Sequence, residues 1–176
     1  MRIQSKNNLN LSSGFTLISK ACEGFTLIEL LVVISVIGIL TTMVLVSFGP
    51  AQKQARDIQR KSDIKEYQNS LETFANKGNG LYPSRPDAAG VTASSRLCSD
   101  LGITTCSEDP KNAADATYVY KYQSDGTVSD GTSVAAKYVL WAKIENSTNY
   151  WVNCSNGKVG TKAQTGFSVS GGECPL

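Results

Sequence analysis

Residues 25–49 read FTLIELLVVISVIGILTTMVLVSFG, and this run governs how the rest of the chain is read. A bilayer core about 30 Å thick is crossed by about 20 apolar helical residues, so the run can span with some tilt. A cleaved secretory signal has a shorter apolar region, about 7–15 residues, that ends at a small-residue site. This run is longer and lacks such a site near its end, which predicts a retained transmembrane helix. Cys22 follows no apolar stretch and stands close to Lys20, which argues against a lipid-anchored cysteine. The one charge in the run is Glu29. A carboxylate costs about 2.5–3.5 kcal/mol at a bilayer centre and less near the interface, so its presence needs a reason. Either it reaches the headgroups from the helix end, or it meets a cation on another copy of the chain.

The rest of the sequence is polar and rich in Gly, Ser, Thr and Asn. The chain has 176 residues, a formal charge of +2 and no histidine. So small a charge predicts no specific nucleic-acid partner. Without histidine there is no Ser/His/Asp or Cys/His triad, and the commonest zinc ligand is missing. Of five cysteines, Cys98, Cys106, Cys154 and Cys174 follow the apolar run. An even set beyond a membrane segment predicts two disulfides in an oxidising compartment. Four cysteines allow about three pairings, of which nearness in sequence favours Cys98–Cys106 and Cys154–Cys174. The alternative is reduced thiols or a metal site, and neither spacing looks like a zinc knuckle.

Gly24-Phe25-Thr26-Leu27-Ile28-Glu29-Leu30-Leu31-Val32-Val33-Ile34 resembles the processing site of type IV prepilins and type II secretion pseudopilins. The resemblance implies cleavage between Gly24 and Phe25 by a membrane aspartyl peptidase, with N-methylation of Phe25. It also implies that Glu29 of one subunit meets the N-terminal amine of a neighbour during assembly. Such an amine has a pKa of about 7.7–8.0 and is largely protonated near neutral pH. Gly38 falls where the family often has a glycine in its first helix. Gly14-Phe15-Thr16-Leu17-Ile18 repeats the start of the motif, but Ser19 replaces the glutamate and no apolar run follows. It reads as a decoy or a partial duplication, not a second site, with an upstream start-codon error as the alternative. Basic residues on the far side of the run (Lys53, Arg56, Arg60, Lys61, Lys65) oppose export by the positive-inside rule. The cysteines and the peptidase motif outweigh that rule, because long domains translocate largely regardless of charge.

Pro50 predicts a kink where the apolar run ends. Beyond it, Ile58, Lys61, Ile64, Tyr67, Leu71 and Phe74 recur at helical spacing and form an amphipathic stripe. Asp57–Lys61 and Arg60–Asp63 read as solvated surface pairs. Gly78-Asn79-Gly80 ends the helix. Residues 78–115 read as a loop, with Tyr82-Pro83 extended. Three strands follow, at 117–122, 137–144 and 150–153, with Asp125-Gly126 as a turn signal. They predict a three- or four-stranded antiparallel meander lying on the Ile64–Leu71–Phe74 stripe.

The expected fold is therefore α+β and pilin-like: a long N-terminal helix, transmembrane in its first half, packed on a small antiparallel sheet. The expected divisions are a cleaved leader at 1–24, an assembly helix at 25–49 and its amphipathic continuation at 50–77. A variable loop at 78–115 and a sheet with a C-terminal disulfide loop at 116–176 complete them. The expected function is a non-enzymatic subunit of a type IV pilus-like filament for adhesion, motility or DNA uptake. The alternatives are a secretion pseudopilin, a membrane-tethered extracellular enzyme, or a single-span anchor for a binding domain. The C-terminal cysteine pair resembles pilins more than major pseudopilins, whereas the helix-to-Tyr-Pro segment resembles those pseudopilins about equally well. Implied partners are copies of the chain, a prepilin peptidase, an inner-membrane assembly platform with an ATPase motor, and minor pilins. The implied location is a single-pass cytoplasmic-membrane protein with its C-terminal domain outside, extracellular once assembled. No cofactor is expected. Asp125, Ser129 and Asp130 are weighed as calcium ligands and read instead as a hairpin turn. The aromatic residues of the last third read as sheet packing rather than a stacking platform, since few basic residues accompany them.

Overall fold

The computed structural model describes residues 24–176, with the side chains of 44–47 excepted. Residues 1–23 of the expected leader, the Gly14–Ile18 repeat and Cys22 lie outside the described residues. The chain divides into two units, Met1–Met43 and Val44–Leu176, each taken by itself below. The helix α1, Leu27–Lys77, supplies residues to both.

In the first unit α1 begins two residues after Phe25, and its large side chains are bare. Leu27, Ile28, Leu30, Leu31, Ile34 and Leu40 are all more than half exposed. Among the described residues nothing in this unit covers an apolar surface all round the helix, the pattern of a span or of a helix that packs on other molecules.

In the second unit α1 runs on through Pro50. It ends where Asn79 adopts φ 60° and Gly80 N–H donates to Ala75 O at 2.8 Å. That bond and the left-handed residue before it form a Schellman stop. The five-stranded antiparallel sheet has the order β2-β3-β5-β6-β7. Its strands are β2 Val91–Thr92, β3 Lys121–Ser124, β5 Tyr138–Lys143, β6 Asn149–Cys154 and β7 Val159–Ala163. A separate antiparallel pair joins β1, Tyr82–Pro83, to β4, Ser133–Ala135. A π turn at Ala93–Leu97 runs into α2, Cys98–Leu101. The expected α+β architecture is present, with a larger sheet than the sequence indicated.

Strand β5 is buried from Tyr138 to Ala142 because both its faces are covered. On one face Tyr138, Leu140 and Ala142 join Ile64, Tyr67, Leu71 and Ala75 of α1 in the main core. On the other, Val139 and Trp141 join Val152, Cys154 and Val169 in a second cluster, packed by Phe167, Cys174 and Leu176. Cross-strand partners share a face, so the register sorts residues between these two cores.

Several expectations need correction. Ile58 is 60% exposed and Lys61 is exposed, so the apolar stripe does not extend to them. Phe74 is only half-buried, and Ala75 takes the core position. The pairs Asp57–Lys61 and Arg60–Asp63 are not solvated: Asp57, Arg60 and Asp63 are buried, and Arg60 bonds to Asp57 instead. Residues 117–120 are not strand, because Asp115 Oδ1 accepts from Thr117 N–H at 2.9 Å and Oγ1 at 2.7 Å and holds a turn there. Asp125-Gly126 makes no tight hairpin; β4 lies between β3 and β5. The 78–115 region is not plain loop. Its Ala93, Leu97 and Cys98 are buried, and it carries β1, β2, the π turn and α2.

Candidate functional site

Gly24, Phe25 and Thr26 precede the helix without regular structure, and Phe25 is 89% exposed. Thr26-Leu27-Ile28-Glu29 is a capping box, in which a threonine and a glutamate three residues later satisfy each other's orphan donors. Glu29 N–H donates to Thr26 Oγ1 at 3.3 Å. In return, Glu29 Oε2 accepts from Thr26 N–H and from Thr26 Oγ1, each at 2.8 Å. Both contacts to the carboxylate use Oε2, so Oε1 has no partner among the described residues. The T-x-x-E spacing carries this signal in the sequence.

Among the described residues no single straight helix is long and apolar enough to cross a membrane; the two pieces of α1, Leu27–Met43 and Phe48–Lys77, meet that test only together, by length and composition. A Cβ placed on Gly38 would meet nothing within 4 Å among the described residues, so their packing does not require a glycine there. Ser35, Thr41 and Thr42 return their hydroxyls to backbone carbonyls one turn earlier, at 2.7 Å each. Their polarity is thereby absorbed within the helix.

The second concentration of chemistry is a buried ionic cluster on α1. Arg60 is fully buried. It donates twice to Asp109, at 2.6 and 2.8 Å, and once each to Asp57 (2.8 Å) and Glu145 (2.7 Å). Arg56 grips Glu145 through two bonds of 2.7 Å. Asp57 in turn accepts from the backbone N–H groups of Glu145 at 2.9 Å and Asn146 at 3.1 Å. One arginine thus ties α1 to the loop before β3 and to the turn between β5 and β6. Bidentate guanidinium–carboxylate pairs fix direction as well as distance. The Arg56 bonds hold the Glu145 carboxyl down at about 2, against the opposing effect of burial, with Arg60 adding to the depression. Burial pushes Asp63 upward despite the 2.6 Å bond it accepts from Tyr120. The sequence hid this cluster because Asp109 and Glu145 lie 49 and 85 residues from Arg60.

The structure joins Cys98 to Cys106, with Cα atoms 6.2 Å apart, and Cys154 to Cys174 at 5.6 Å. The first closes the segment around α2. The second ties β6 to the C-terminal segment that covers the second core. Asp125 Oδ1 accepts from the N–H groups of Ala136 and Lys137, at 2.7 and 2.9 Å. Asp130 Oδ1 is similarly held by Thr132. Among the described residues no group of three or more acidic, cysteine or histidine side chains could hold a metal.

Residues 19–45 match the family described as the prokaryotic N-terminal methylation motif. The chain is 24% identical over 130 residues to the type IV major pilin protein PilA of Myxococcus xanthus (strain DK1622). That alignment covers 66% of this chain, which spans only 59% of that relative's length. It is 30% identical over 129 residues to a fimbrial protein of Neisseria meningitidis serogroup B (strain MC58), covering 73% of this chain and 71% of that protein. No solved structure matches. With the capped, bare apolar helix, the antiparallel sheet and a relative matched over more than two thirds of its length, the chain belongs to the type IV pilin family.

Proposed function

We propose that this chain is a structural subunit of a type IV pilus-like filament rather than an enzyme. A prepilin peptidase cuts between Gly24 and Phe25, and the new Phe25 amine is N-methylated. The apolar part of α1 holds the subunit in the cytoplasmic membrane as a single span, with the C-terminal domain outside. An inner-membrane platform and its ATPase motor then draw subunits into a filament, with minor pilins as further components.

The observation that carries this reading is Glu29. One carboxylate oxygen caps its own helix, and the other has no partner among the described residues. A free oxygen near the start of a bare apolar helix can accept an N–H from the terminal amine of another copy. A buried ion pair adds little net stability but can set register. Gly38, which nothing among the described residues crowds, lets a neighbouring helix approach closely, as small residues do between membrane helices. The Cys154–Cys174 bridge favours a pilus over a secretion pseudopilus.

The test is mass spectrometry of the mature N-terminus from cells that hold the peptidase, joined to filament yield in a strain whose sole copy is Glu29→Ala. N-methyl-phenylalanine at position 25 and a loss of filaments in the variant are expected. An intact Met1 start, or wild-type filament yield from Glu29→Ala, would overturn the reading.

A further inference from the structure

The fold engages only some of the basic residues that follow the apolar run. Arg56 and Arg60 are taken up by Asp57, Asp109 and Glu145. Lys53 and Lys61 are exposed and stand in no ion pair among the described residues. The Lys61 ammonium lies 4.6 Å over the Trp151 ring. It helps to line a groove of about 500 Å³, with Pro50 and Ile58 of α1 on one side and Ile144, Asn146 and Thr161 on the other. Ile58, which the apolar stripe leaves out, is 60% exposed there. Asp57, the acid in this groove, is bonded to Arg60 and to the N–H groups of Glu145 and Asn146. The far end of the same domain carries the reverse charge. The loop 125–132, between β3 and β4, is tied beside the helix stop: Ser84 N–H donates to Thr132 O at 2.8 Å, and Ser133 Oγ donates to Gly78 O at 3.2 Å. Val128 is 57% exposed on this loop, with exposed Ser129 and Asp130 after it. Asp87, also exposed, accepts from the Ser129 hydroxyl. Arg85 is the base among these acids, and it is paired to Asp100. Asp87 and Asp130 therefore leave the loop negative.

We propose that the Val128 loop of one copy docks in the Ile58 groove of a second copy, a head-to-tail contact between their C-terminal domains. The helix from Ile58 to its stop is about 30 Å long at about 1.5 Å per residue, so loop and groove lie at opposite ends and one chain cannot close on itself. A contact between two different patches leaves one of each unused at the outer ends, and it builds an open chain of subunits when the rotation between them does not close. Val128 covers Ile58 and Ile144 and removes their apolar surface from water. Asp130 and Asp87 come toward Lys61 and Lys53. Such complementarity sets register, and it opposes groove-to-groove or loop-to-loop meetings, where like charges face each other. A bilayer surface fits less well. Acidic lipid is recognised by clusters of about 4–8 basic residues, and here the two arginines are already held by carboxylates. This contact rests on the filament reading and adds to it which surfaces meet.

Two measurements test the contact, each on the full chain as the sole copy in cells that hold the peptidase. In the first, Val128 is replaced by the photo-cross-linker p-benzoyl-phenylalanine, and sheared filaments are irradiated and digested. A covalent dimer is expected, with position 128 of one copy joined to residues 54–61 or 144–147 of another. In the second, filament yield is compared among Lys61→Glu, Asp130→Lys and the double variant. Each single reversal should lower the yield about tenfold or more, since like charges then meet across the contact. The double variant should recover to within about twofold of wild type, which a merely misfolded chain would not do. A cross-link to lipid, to another protein or to a different part of the chain overturns the proposal, as do single reversals that assemble normally or a double variant no better than either single. Those results leave the filament reading standing, because wild-type filaments are present in each. A wild-type strain without filaments overturns the filament reading and this contact with it.

Discussion

Arg60 is surrounded by three carboxylates, and its removal leaves buried Asp109 without a cation. Arg60→Met should destabilise the protein by about 3–5 kcal/mol, because breaking a buried pair leaves uncompensated charge. Urea unfolding of the full chain in detergent measures this. Glu145 gives the cluster a pH dependence. Its folded pKa, about 2, lies below its ordinary 4.5, so its contribution is fully present above pH 4.5 and is lost as pH falls toward 2. Asp63 works in the opposite sense, since its pKa is raised in the folded state and acid relieves the cost of its burial. Melting temperatures recorded on either side of pH 4 should fall with acid in the wild type. In Glu145→Gln that slope should flatten or reverse. The charges at 57, 60 and 63 look solvated in sequence because a helix reading sees only neighbours three and four residues away. Their buried partners come from the other end of the domain.

At the scale of the element, α1 is started by Thr26 and Glu29 and stopped by Asn79 and Gly80, and the sequence carried both signals. Thr26→Ala should cost about 1 kcal/mol of local stability through the lost cap, seen as faster amide exchange over residues 27–30. The second core depends on a covalent tie. With Cys154 and Cys174 both changed to Ser, the chain should lose about 3 kcal/mol, the entropy-model value for a loop of this scale. Limited proteolysis should then cut first after Gln164, where the covering segment begins to lift. Strand β7 escaped the sequence reading because Val-Gly-Thr-Lys-Ala has no apolar alternation; it is an edge strand placed by pairing with β6. The turn at Asp115 shortened β3 because a side-chain acceptor outcompeted the ladder for the Thr117 N–H.

For the molecule as a whole, two surfaces have different purposes. The main core holds the C-terminal unit together. Leu71→Ala, at a fully buried position, should cost about 2–5 kcal/mol in thermal or urea unfolding, with membrane insertion untouched. The bare apolar residues of the first unit contribute nothing to that core. Ile34→Ala should therefore leave the unfolding of the C-terminal unit unchanged while lowering filament yield.

Sequence alone determined the apolar helix and its lone acid, the processing motif, the family and the presence of strands after residue 115. Those features are local: periodicity, capping and motif are written in residues a few positions apart. Tertiary structure alone decided that Arg60 is a buried hub, that β5 is covered on both faces, and that β7 and β2 extend the sheet. These depend on contacts between segments tens of residues apart, where the cost of burying a charge or a polar strand is met only by a partner that folding brings alongside.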